Sequence, residues 1–96
     1  MFRIKESAPT FDGLPRGLPE EIHATWRGAL AALRAATDPL RVAEGYHFCC
    51  GFLQALADAR VIEPIWYTSL RSQLLEVWVE AVNRLNQDAH DIYPLR

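Results

Sequence analysis

Gly45-Tyr46-His47-Phe48-Cys49-Cys50-Gly51-Phe52-Leu53 lies at the middle of a longer run, Leu40 to Ile62, and the reading of that run decides the fold. At 100° per residue, Arg41, Glu44, His47, Gly51, Gln54 and Asp58 fall on one side of a helix. Val42, Gly45, Tyr46, Cys49, Phe52, Leu53 and Leu56 fall opposite, with Phe48, Cys50, Ala55 and Ala57 on the flanks. The apolar arc exceeds half the circumference, wider than the roughly 100° stripe of a surface helix. A helix this apolar needs cover on two sides, so the run is expected to be the middle element of a helical bundle. Gly45 and Gly51 each cost about 1 kcal/mol of helix propensity relative to alanine. Close packing against a neighbour is the expected compensation.

Working outward, helices are expected at about 19–36, 39–60 and 64–87, each opened by a proline step. Pro19 suits a first helical position, and Glu20 and Glu21 favour the positive end of the helix dipole. Ile22, Trp26, Ala29, Leu30 and Leu33 form its buried face, with His23, Arg27 and Arg34 outward. Asp38 is a suitable N-cap, followed by Pro39. Val61-Ile62-Glu63-Pro64 opens the last helix, which buries Tyr67, Leu70, Leu74, Val77, Trp78, Ala81 and Leu85. Ser69, Ser72, Gln73, Glu76, Glu80 and Asn83 are its wet side. Short connections imply antiparallel neighbours. The expectation is a single all-α domain, an antiparallel three-helix bundle. An arm (residues 1–17) lays Phe2, Ile4, Phe11 and Leu14 over it, and a non-helical tail (residues 88–96) docks Ile92, Tyr93 and Leu95.

Composition narrows the function. Ten basic and 12 acidic residues give a net charge of −2, which disfavours binding through phosphate contacts, since that needs a basic face. Arg27, Arg34 and Arg41 are separated by acidic groups and form no such face. The N-terminus has no apolar stretch of signal-peptide type, and no run approaches membrane-spanning length. Cys49 and Cys50 are adjacent and diverge on a helix, which suits a reducing cytoplasm better than a disulfide.

Two constellations invite chemistry. Glu20-x-x-His23 and Glu44-x-x-His47 each place a carboxylate and an imidazole on one helical face, the spacing used by carboxylate-bridged di-metal bundles, with Glu76 and Glu80 as nominal further ligands. In a hairpin turning near Asp38, however, His47 is offset from His23 by roughly 7 Å along the axis. His47 and Cys50, at i and i+3, are half of a zinc site or a thiol–imidazole pair. Burial as a small apolar side chain is the commoner fate of such cysteines. No serine sits in a nucleophile elbow and no glycine-rich loop precedes a helix. The expectation is a cofactor-free, metal-free protein that is not an enzyme.

Contact with another macromolecule is the class that remains. Trp66 lies on the wet side of the last helix, where it is either an exposed interface anchor or packed against the N-terminal arm or C-terminal tail. Leu75, Val79 and Val82, at i, i+4 and i+7, form a second apolar line that the core face does not require, and it either widens the core or is an exposed contact stripe. These four residues are the candidate partner-binding site. The expected partner is another protein, a second copy forming a homodimer, or both. The expected role is that of an adaptor, a regulator, or an inhibitor of immunity-protein type that occupies a partner's surface. The alternative is a thiol- or metal-dependent protein using His47 and Cys50.

Overall fold

The structure is a computed structural model that describes the backbone of residues 10–92 and the side chains of residues 10–87. Among these residues it has three helices, α1 (Glu20–Ala35), α2 (Pro39–Asp58) and α3 (Pro64–Ile92), and each packs against the other two. Phe2, Ile4, Tyr93 and Leu95 lie outside the described residues. None of the described helices is long and apolar enough to cross a membrane.

The helix starts follow local chemistry. Asp38 caps α2, its carboxylate accepting from Arg41 N at 2.9 Å, and Pro39 takes the first helical position. At α1 the proline sits one place earlier than expected: Pro19 is itself the extended N-cap, with ψ 146°, and Glu20 begins the helix. α2 ends in a Schellman turn, in which Val61 N–H donates to Leu56 O at 2.9 Å and Arg60 N–H to Ala57 O at 3.0 Å. Arg60 occupies the left-handed position there at φ 61°, where glycine is the usual residue. α3 runs five residues beyond the expected end at Gln87. No helix breaker lies between Asp88 and Ile92.

The core is built from one stripe per helix. Trp26, Leu30 and Leu33 of α1, Val42, Cys49, Leu53 and Leu56 of α2, and Leu70, Leu74, Val77 and Ala81 of α3 are buried, with Leu14 and Ile62 at the bundle's margins. Tyr67, Trp78 and Leu85 pack half-buried beside them. Arg84 Nη2 donates to Ala36 O at 3.0 Å, placing that turn of α3 level with the α1–α2 corner. Ile92 lies eight residues further on, so α3 overhangs the bundle by about 12 Å.

α2 is covered by both neighbours, but its apolar arc is wider than the cover. Trp26 stacks on Phe52 (centroids 6.1 Å), Phe52 stacks on Phe48 (6.1 Å), and Phe48 at the end of this ladder is exposed. Close packing does not account for the two glycines. A methyl on Gly45 would meet Leu33 at 3.5–3.6 Å, an ordinary contact, and one on Gly51 would meet nothing within 4 Å. Gly51→Ala is therefore expected to stabilise the fold by about 1 kcal/mol, read as a higher midpoint in urea. An unchanged or lower midpoint would show that Gly51 has a structural reason beyond the described contacts.

Candidate functional site

The residues singled out by sequence fall in three places. The first is the outer face of α3. Leu75 is 49% and Val79 41% exposed, on the side of the helix away from the Leu70–Leu74–Val77–Ala81 stripe. Val82, third in the line, is half-buried against the core, so the line divides into two surface residues and one core residue. Trp66, expected either exposed or packed by the arm or tail, is also half-buried against the core. Its wheel position faces the side of α3 that carries Gln73, against which Gly13 of the N-terminal segment is placed. The exposed apolar residue at the start of α3 is instead Ile65, at 72%.

The second place is the polar cluster that holds residues 10–18 on the bundle, which sequence reasoning did not find. Gly13, at φ +89°, turns the chain where a side chain would run into the Gln73 carboxamide. The turn closes through Thr10 N–H to Leu14 O at 2.9 Å and Gly13 N–H to Thr10 O at 3.0 Å. It drives Leu14 into the core and buries Asp12 beside α1. The Asp12 carboxylate accepts from the Thr10 hydroxyl, from Leu14 N–H at 3.1 Å and from His23 Nδ1 at 2.9 Å. The Asp12 backbone carbonyl accepts from Trp26 Nε1 at 3.0 Å. Arg27 stands at the rim, with Nη1 3.5 Å from Asp12 and Nη2 2.7 Å from Glu20. Its guanidinium lies over the ring of Phe11, which is exposed rather than laid onto the bundle.

His23 was expected outward and is only 7% exposed. The reason is the cover supplied by Asp12 and Leu14, which α1 alone does not reveal. Burial is the largest single influence on Asp12 and opposes its ionisation. The hydrogen bonds from Thr10, His23 and Leu14 and the charge of His23 together outweigh it, holding the carboxyl below its usual range. An ionised Asp12 only accepts, so His23 Nδ1 is the donor. The His23–Asp12 pair fastens residues 10–18 to α1.

The third place holds the metal and thiol candidates. Glu20 is paired with Arg27 and His23 with Asp12, while Glu44 and His47 are exposed on α2. Among the described residues, no three His, Cys, Asp or Glu side chains are grouped so as to hold a metal ion. Cys49 is fully buried, and burial, with a smaller effect from Cys50, pushes its thiol up to about 11. A thiol so protonated is a poor nucleophile at neutral pH. Cys50 is half-buried, and His47 turns its ring toward Tyr46 (5.9 Å). An open cleft of about 480 Å³ at the α2–α3 corner sets Arg60 and Glu63 beside Ile62 and Tyr67. Tyr67 there donates to Gln54 at 3.0 Å and accepts from Arg71 at 2.9 Å.

Comparison with known proteins finds no family model that matches this sequence, no similar characterised protein and no similar solved structure.

Proposed function

We propose that this chain acts by contact with another protein through the outer face of α3, as a small adaptor, regulator or inhibitor that occupies a partner's surface. The observation that carries the reading is the exposure of Leu75 and Val79 one turn apart, on the face of the longest helix that the bundle does not cover. Neighbouring aliphatic side chains turned to water are a common mark of an interaction site. Val82, half-buried beside these two, borders this face, and Trp66 packs half-buried on the opposite side of α3. The two unpaired cysteines accord with a cytoplasmic setting.

Val79→Glu tests the reading. At an exposed position it is expected to leave helical circular dichroism unchanged and stability within about 0.5 kcal/mol of wild type. It places a charge in the contact face and is expected to abolish association. If the variant unfolds, Val79 belongs to the core and the reading fails.

A further inference from the structure

The outer face of α3 carries a register, and the register selects a partner. Ile65, Ser72, Val79 and Asn86 recur every seven residues, and Thr68, Leu75 and Val82 recur three residues after the first three of them. Four of these seven positions, Ile65, Leu75, Val79 and Val82, carry the apolar residues of the a and d sites of a coiled-coil seam, and Thr68, Ser72 and Asn86 are polar. All but Val82, which is half-buried, are exposed. The seam is centred about 160° around α3 from the buried Leu70–Leu74–Val77–Ala81 stripe, so a helix can lie along it without displacing α1 or α2. It spans about 32 Å from Ile65 to Asn86. Its last residue lies beyond Arg84, on the overhang where α3 leaves the bundle.

We infer that the occupant of this seam is the α3 helix of a second copy, parallel and in register. Resting on the contact reading above, the inference adds the partner and its orientation. Two features argue for it. The first is charge. Arg71 precedes an a position and Glu76 follows a d position, the g and e sites that flank such a seam. In a parallel pair, each g residue faces the partner's e residue five positions later, so Arg71 of each copy meets Glu76 of the other. Glu76 takes part in none of the ion pairs among the described residues; the Arg71 guanidinium lies over the Tyr67 ring and donates once to its hydroxyl, so pairing across the seam uses its remaining N–H donors. An antiparallel pair sets e against e and g against g, and forfeits that match. The second is the a-position chemistry. β-Branched Ile65 and Val79 at a, with Leu75 at d, favour two strands, and a lone asparagine at a, here Asn86, fixes register and dimeric state. Thr68 and Ser72 within the seam weaken it, which makes the association reversible rather than obligate.

The test is sedimentation equilibrium of the purified full chain over a wide concentration range, with Arg71→Glu, Glu76→Arg and the double exchange. Wild type is expected to pass from monomer to dimer. Each single exchange sets like charges face to face twice per dimer and is expected to weaken dimerisation about tenfold. The double exchange restores the opposite-charge pairs and is expected to return to within a few-fold of wild type. Glu76 is exposed, so Glu76→Arg leaves the fold intact even if Arg71→Glu does not, and thermal melts identify an unfolded variant. Ser72→Cys supplies a geometric check. Position 72 meets its own copy across the two-fold only in the parallel register, so mild oxidation should link Ser72→Cys into covalent dimers. A wild type that stays monomeric at every concentration overturns the inference and leaves the contact reading to the Val79→Glu result. Single exchanges that weaken the dimer without rescue by the double, or a Ser72→Cys variant that does not cross-link, overturn the parallel register.

Discussion

Leu53→Ala is expected to destabilise the protein by about 2–5 kcal/mol, measured by urea denaturation with the midpoint and slope both reported. Leu53 is fully buried near the middle of α2 among residues of all three helices. Truncation removes contacts to all of them and leaves a cavity that rigid neighbours such as the Trp26–Phe52 stack cannot collapse to fill. A small domain has only about 5–15 kcal/mol in total. A chain of this length loses about 4–8 °C of melting temperature per kcal/mol, so the variant should melt well below wild type. A cost under about 1 kcal/mol would place Leu53 at the surface and remove α2 from the position described for it.

Asp12→Ala is expected to cost about 3 kcal/mol, a large effect for a residue outside any helix. The substitution strips the Thr10 hydroxyl, Leu14 N–H and His23 Nδ1–H of their shared acceptor while the site remains buried. The same carboxylate gives the fold an acid dependence whose sign is fixed. Its folded pKa lies below its unfolded value, so the stability it contributes is complete above the ordinary aspartate range near pH 4. That contribution is lost as pH falls from there through the lowered folded value. Urea midpoints of wild type should therefore fall more steeply on acidification across that window than those of Asp12→Asn, which carries no titrating group there. Parallel pH profiles for the two proteins would mean that Asp12 is not held ionised by these partners.

Most of the fold was legible from the sequence because its signals are local. Asp38-Pro39 and Glu63-Pro64 mark helix starts by capping and by steric exclusion, and the stripes through Leu30, Leu53 and Leu74 follow from helical periodicity alone. The Asp12–His23 pair was not legible, because it joins residues 11 apart across a turn, and no helical wheel includes a segment outside the helix. A signal was nonetheless present. His23, Trp26, Leu30 and Leu33 are spaced 3, 4 and 3 residues apart, so His23 lies in line with buried positions and needs a buried partner. For the same reason the wheel left Trp66 between exposure and packing against the N-terminal arm or the C-terminal tail. Angle on α3 sets it beside Gln73, but what covers that side comes from the non-helical segment before α1. The extra turn of α3 was missed because the charged and polar residues after Gln87 supply no apolar periodicity, and a helix does not need one to continue. On the contact face, spacing identified Leu75, Val79 and Val82 together, and only the packing separates Val82 from the other two.

The most direct test of a contact function is capture from a native lysate by tagged wild type and by Val79→Glu, side by side, with bound proteins identified by mass spectrometry and both baits first shown to melt at the same temperature. The account predicts a protein, or an untagged copy of this chain, retained by wild type and lost by the variant. The same proteins retained equally by both baits, or nothing specific retained by either, would contradict the assignment of the outer face of α3 as the surface through which this protein works.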